Sequence, residues 1–78
     1  MIALKAGSYR VGMFFDIAIA YDGNVTPTWG IGTIKWPADA EPVLTSLDGR
    51  VDEFCFKCVA VTPTPTFRCM GVALNLEL

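Results

Sequence analysis

Glycine and proline divide this sequence into short apolar segments, and that division restricts the fold more than any other feature. The chain of 78 residues contains seven glycines and five prolines, and no segment between them keeps a helical repeat. A helix is compatible with the pattern only around residues 38–47, where Pro42 opposes it. The sequence therefore predicts an all-β protein, a small antiparallel β-sandwich or barrel of the jelly-roll kind with about five to seven short strands.

Alternating side chains indicate where the strands lie. In the first long apolar segment, large residues at positions 15, 17, 19 and 21 alternate with smaller or more polar ones, as in a strand with one buried face. The further predicted strands are residues 29–36, 43–47, 51–61 and 67–76. Asp22-Gly23-Asn24 and Asp48-Gly49 predict tight turns, and Thr62 to Thr66 (TPTPT) predicts an extended connection. Gly30 and Gly32 are expected where a strand bulges or where another backbone approaches closely.

Composition predicts that the chain assembles with partners. Hydrophobic residues make up 53% of the sequence and charged residues only 18%, while a domain of this size buries only about 60% of its unfolded surface. The apolar excess therefore favours a homo-oligomer. We expect one β domain over residues 1–78, with residues 1–12 as an extended arm that orders on the assembly.

Charge and hydropathy argue against two classes of partner. The net charge is −2 and the six basic residues are dispersed along the sequence, so no basic cluster predicts nucleic-acid binding. The most apolar segment, residues 11–21, is shorter than the roughly 20 residues of a membrane-spanning helix and contains Asp16. The same aspartate interrupts what would be the apolar part of a signal peptide.

The residues that usually perform catalysis or bind metals are scarce. The chain has no histidine, which removes the commonest general base and metal ligand. Cys55 and Cys58 have the CxxC spacing, but within a strand these positions face opposite sides. We interpret them and Cys69 as small buried hydrophobic residues in a reducing compartment, with a metal site, a disulfide and a redox role as alternatives. The sequence predicts a non-enzymatic protein without a cofactor.

Aromatic residues are the remaining candidates for a binding surface. Trp29, Trp36, Tyr9 and Tyr21 can line a carbohydrate-binding face, or they can be core or subunit-contact residues. The core or subunit-contact interpretation is favoured. The candidate residues for binding or subunit contact are Trp29, Trp36, Tyr9, Tyr21, Phe54 and Phe56.

About half of the chain resembles a module at the C-terminal ends of bacteriophage tail-fibre and similar appendage proteins. The resemblance lies in TIKWPADAEPVLT, DGRVDEFCFKCV and FRCMGVAL, which fall between residues 33 and 74. In that pattern a Trp-Pro, a short loop and P-x-L-T precede an aspartate and an alternating aromatic strand. The matching positions are Trp36-Pro37, Pro42, Leu44-Thr45, Asp52, Phe54, Phe56 and Met70-Gly71.

The resemblance implies a structural protein of the virion that is assembled in the host cytoplasm and forms a trimer. Its expected partners are other virion proteins, such as the major capsid protein or a tail protein. The brevity of the chain favours a capsid decoration or cement protein, and the family resemblance favours a small tail-appendage component. The alternative function is a tail-fibre tip that binds a receptor or a host surface glycan through exposed aromatic residues.

Overall fold

The computed structural model describes residue 2 and residues 9–77, and within them the protein is all-β. The strands are β1 (Phe14–Ala20), β2 (Thr33–Lys35), β3 (Arg50–Ala60) and β4 (Thr66–Glu77). One turn of 3-10 helix, Pro37–Asp39, is the only helical element of this described part. The prediction of a small all-β fold is confirmed.

The four strands form one mixed sheet in the order β1-β3-β4-β2. β3 is central and pairs antiparallel with both β1 and β4, while β2 runs parallel to β4 over only three residues. The predicted number of five to seven strands therefore exceeds the four strands found within residues 9–77. The predicted antiparallel arrangement also does not include the parallel pair of β2 and β4. The last two predicted strands do form the expected pair, joined by Val61 to Pro65.

The predicted face of β1 is confirmed. Phe15, Ile17 and Ile19 are half-buried, whereas the intervening residues are exposed. The turn that follows at residues 22–24 does not close a hairpin, because β1 pairs with β3, whose partners begin at Val51. Turn chemistry indicates that a chain reverses, but it does not identify the strand that comes next in the sheet.

Two predicted strands are shortened or absent. Residues 43–47 form a loop rather than a strand, and Ser46 in this loop has a φ of 53°. In the predicted strand 29–36, only Thr33–Lys35 pairs with β4, and Trp29 makes one isolated bridge to Ile2. Backbone geometry limits this strand, because Gly32 has a φ of +128° and breaks the extended conformation.

Gly32 is also a point of close backbone approach, as the sequence predicts. A β-carbon placed on Gly32 would lie 2.5 Å from the carbonyl oxygen of Pro65, and the amide of Thr33 donates to the same oxygen at 2.9 Å. Only glycine allows the TPTPT segment to pack so closely against the start of β2. This contact ties the β3–β4 connection to the short parallel strand.

The core lies on one face of the sheet. Its most buried members come mainly from β3 and β4, where aromatic residues alternate with exposed or partly exposed ones. The buried cluster consists of Ile31, Phe54, Phe56, Cys58, Phe67 and Cys69. Residues of β1 and of the loops cover it, and full burial of each aromatic side chain contributes about 1.5–3 kcal/mol.

Candidate functional site

Four of the six predicted site residues meet in one aromatic cluster. The ring of Trp29 lies 5.5 Å from that of Trp36, 5.0 Å from that of Phe54 and 5.6 Å from that of Phe56, all in edge-to-face geometry. Trp36 also contacts both phenylalanines at 6.0–6.2 Å. Such pairs add about 0.5–1.5 kcal/mol each beyond area burial. The cluster joins β3 to the two loop tryptophans and is a major part of the core.

Exposure divides the members of this cluster. Phe54 and Phe56 are 1% and 0% exposed, so within a single subunit they offer no surface to a ligand. Trp29 and Trp36 are half-buried and pack against the core from the loops. Any contact between this cluster and a partner would therefore be made by the two tryptophans.

The two predicted tyrosines lie in separate places. Tyr9 is half-buried and packs edge-to-face on Phe67, with the ring centres 5.6 Å apart. Tyr21 is buried, and its hydroxyl donates a hydrogen bond of 2.7 Å to Asp52. Tyr9 therefore packs against the same core as the cluster of four and is connected to it through Phe67 and Phe15, whereas Tyr21 lies apart at Asp52.

The most highly organised polar group is the carboxylate of Asp52, which is 0% exposed. One oxygen accepts hydrogen bonds from the Tyr21 hydroxyl and from the Thr45 amide, each at 2.7 Å. The other accepts from the Thr45 hydroxyl and from the Asn75 amide at 2.9 Å. Four donors from three distant segments therefore surround this carboxylate, and we call this group the Asp52 site.

These donors set the ionisation of the Asp52 site. Burial by itself raises the pKa of Asp52, but the hydrogen bonds from Thr45, Asn75 and Tyr21 outweigh it and bring the pKa below the ordinary value of 3.8. Burial, followed by the hydrogen bond to Asp52 and its negative charge, raises the pKa of Tyr21 to about 12. At neutral pH the site therefore holds an ionised carboxylate and a protonated phenol.

The Asp52 site joins parts of the chain and is closed to substrate. It connects Tyr21 after β1, Thr45 in the loop before β3, and Asn75 near the end of β4. Asn75 has a φ of 58°, at a point where the register between β3 and β4 shifts. A carboxylate that is fully buried and surrounded by four donors stabilises the fold and has no access to a reacting molecule.

The sequence resemblance includes Asp52 and Thr45 among its matching positions, but neither is among the predicted site residues. Asp52 has the same parity on β3 as Phe54, Phe56 and Cys58, so it points to the buried face. A charged residue in a buried alternation is the signal that was available, since buried carboxylates are almost always paired. Its partners could not be predicted, because they come from loops and from a register shift.

The thiols are unpaired and divided between the two faces. Cys58 and Cys69 are buried in the core, whereas Cys55 is half-buried and pairs in register with Asp16 on the opposite face. Burial, together with the neighbouring Asp16, raises the pKa of Cys55. Among the described residues, no group of three or more His, Cys, Asp or Glu side chains is arranged to hold a metal ion.

Folding brings together basic residues that are dispersed in the sequence. Lys57 pairs in register with Arg68, and Arg68 with Lys35, so these three residues form one row across β3, β4 and β2. The Lys57 ammonium also lies 5.4 Å from the centre of the Phe14 ring. The row lies on the exposed face of the sheet, beside a groove of about 310 Å³ that is lined by Asp16 and Glu53. The exposed face therefore carries both signs of charge.

A second groove lies beside Trp29. It has a volume of about 350 Å³ and is lined by Thr26, Pro27, Thr28, Trp29, Glu41, Pro42 and Leu44. An aromatic ring beside a carboxylate and two hydroxyls has the composition of a shallow sugar-binding surface. Of the predicted site residues, Trp29 lines this groove, and Phe54 is among the residues that line the first groove, although it is 1% exposed.

Comparisons with known proteins leave the family open, because no protein-family model, no curated protein and no solved structure matches this chain. The phage resemblance read from the sequence therefore stays a prediction. The described part of the chain contains no helix that is long and apolar enough to cross a membrane.

Proposed function

We propose that this chain is a non-enzymatic structural protein of a bacteriophage virion, which is assembled in the host cytoplasm and acts as a homo-oligomer through surface complementarity. It serves as a capsid decoration or cement protein or as a small tail-appendage component. The trimer implied by the resemblance belongs to this proposal.

The observation that carries the proposal is the large apolar surface that remains after folding. Large hydrophobic residues stay between 36% and 87% exposed in the loops and on β1 and β4. Single exposed residues are common in monomers, but a concentration along one strand marks a contact surface. The exposed residues are Val11, Phe14, Val25, Val43, Leu47, Met70, Val72, Leu74 and Leu76.

The positions of the motif residues support a structural role. Thr45 donates twice to Asp52, and Trp36 packs on Phe54 and Phe56. These residues are distant in the resembling sequence pattern, yet they contact each other inside the fold. A motif of this kind maintains a fold and gives no reason to expect catalysis.

Removal of the gene from a phage that encodes this chain, followed by addition of the purified protein, tests the proposal. For a decoration protein we expect particles that lose their genome on heating or osmotic shock and regain resistance when the protein is added. For a tail component we expect particles of normal resistance with impaired adsorption or assembly. Particles that lack the protein before and after deletion would contradict the virion assignment.

A glycan-binding tip is the second candidate function, and the groove beside Trp29 favours it. This candidate predicts that Glu41→Gln weakens binding to host glycan and leaves the oligomer unchanged, since Glu41 is exposed. Asp39→Asn, which changes an exposed acid outside the groove lining, is the control. Equal binding by both variants and the parent protein would remove the basis for this candidate.

A further inference from the structure

The outer edge of β4 is unpaired over most of its length within the described residues. β4 extends over Thr66–Glu77, but β2 covers its outer edge only at residues 66–68. Within the described residues, no other strand pairs with residues 69–77 on that edge, and no loop makes a backbone hydrogen bond to it. Unpaired backbone groups along a strand edge are a template for another strand.

The side chains along this edge are unusual for a solvent-exposed strand. Met70, Val72, Leu74 and Leu76 are 50%, 40%, 40% and 36% exposed. Residues 69–76 contain no charged residue and no proline, which are common means of protecting an edge from pairing. Register shifts do occur on either side of residues 71–73, but within those residues the strand remains in regular register with β3.

We propose that the β4 edge, defined as residues 69–77, is a self-association site at which a second copy of this chain adds its own β4 in antiparallel orientation. This inference rests on the homo-oligomer of the proposed function, but it holds whether or not the oligomer belongs to a virion. The contact is isologous, so that each copy supplies the same surface.

Charge favours the antiparallel orientation. Lys35 and Arg68 stand together where β2 ends beside β4, and Glu77 is the last residue of β4. An antiparallel second copy brings its Glu77 towards the Lys35–Arg68 end, and two-fold symmetry produces this approach twice. A parallel copy would instead place the two Glu77 carboxylates side by side.

The apolar residues also match in this orientation. With the two-fold axis near Ala73, Val72 of one copy lies beside Leu74 of the second copy. Met70 and Leu76 lie beyond the register shifts on either side of this central pair. Centring near Ala73 also keeps the second strand clear of β2, which covers residues 66–68. A two-fold contact is compatible with the predicted trimer, because it then links trimers in pairs.

The mass of the purified full chain, measured by sedimentation or light scattering, tests the inference. We expect Val72→Lys/Leu74→Lys to halve the mass of the parent oligomer, because two lysines from each copy meet at the axis. The control is Thr62→Lys/Thr64→Lys, which introduces the same charges at exposed residues between β3 and β4 that are not part of the exposed apolar set, and it is expected to keep the parent mass. When Val72→Lys/Leu74→Lys is mixed in equal amounts with Val72→Glu/Leu74→Glu, the opposite charges are expected to restore the mass of the parent oligomer.

Three results would overturn the inference. One is a parent protein with the mass of a single chain, and another is an unchanged mass for the lysine variant. The third is a failure of the mixture to reassociate when both variants have the parent circular dichroism spectrum. If a variant does not fold, hydrogen exchange of the backbone amides in the parent protein tests the inference instead. Amides of residues 69–77 that point away from β3 and exchange as fast as those of the loop at residues 24–28 would contradict the pairing. None of these results depends on whether the protein is found in particles.

Discussion

Asp52 connects three segments that are far apart in the sequence. Its carboxylate receives hydrogen bonds from Tyr21, Thr45 and Asn75, and it has no exposed surface. Hydrogen bonds to a charged group contribute about 1.5–3 kcal/mol each, and an acceptor lost from such a group leaves buried donors unsatisfied. The loop before β3 and the end of β4 both depend on this one side chain.

Asp52→Asn is expected to reduce the free energy of unfolding by about 2–4 kcal/mol, because the neutral amide has one acceptor oxygen for four donors. Denaturant unfolding at neutral pH measures the change. Asp39→Asn, at an exposed position, is the control and is expected to change stability by less than about 0.5 kcal/mol. Equal effects of the two substitutions would contradict the stabilising role of the Asp52 site.

Stability is expected to fall in acid because of the same residue. The pKa of Asp52 in the folded protein lies below 3.8, so the unfolded chain binds its proton first as the pH falls. Asp52 therefore contributes fully to the free energy of unfolding at pH values above the ordinary pKa of 3.8. This contribution is lost as the pH falls through the lower pKa of the folded state. Unfolding curves between neutral pH and pH 2 are expected to show the parent protein approaching Asp52→Asn. A constant difference between the two proteins would contradict this.

Trp36 distinguishes the structural interpretation of the aromatic residues from the glycan-binding one. Trp36→Ala is expected to reduce the free energy of unfolding by about 2–4 kcal/mol, because the substitution removes a half-buried indole together with its contacts to Trp29, Phe54 and Phe56. Phe14→Ala, at an aromatic residue that is 57% exposed, is expected to cost less than about 1 kcal/mol. A Trp36→Ala protein with parent stability and without glycan binding would instead support the tip.

At the scale of elements, alternation predicted the strands better than their arrangement. β1, β3 and β4 lie within a residue or two of their predicted positions. In β1 and β3 large residues of one face are half-buried or buried, whereas β4 keeps this alternation only at its start, where Phe67 and Cys69 are buried. β2 was predicted too long, and the loop at residues 43–47 was mistaken for a strand. These errors share a cause, since the loop is held by Thr45 at Asp52 and β2 by the backbone at Gly32, and neither contact is local.

The contact between Gly32 and Pro65 gives a test at this scale. Gly32→Ala is expected to cost about 2–4 kcal/mol, because the new β-carbon meets a backbone oxygen and the φ is unfavourable for alanine. Gly23→Ala is the control: its φ of +98° is also unfavourable, but the space around it is open. It is expected to cost about 1–2 kcal/mol. Thermal and denaturant unfolding measure the difference, and equal losses would show that the close approach has no energetic effect.

At the scale of the whole molecule, the exposed apolar residues follow from the small size of the chain. One four-stranded sheet with a core on a single face cannot cover a sequence that is 53% hydrophobic. The excess apolar content could be predicted from composition, whereas its concentration on β4 depends on the strand order. The row of Lys35, Lys57 and Arg68 likewise exists only after the strands pair.

The number of copies of this chain in purified phage particles, measured by quantitative mass spectrometry against the major capsid protein, tests the proposed virion role most directly. We predict a fixed stoichiometric ratio, with hundreds of copies for a capsid decoration protein and a few to a few tens for a tail component. Absence of the chain from the particles would contradict the account.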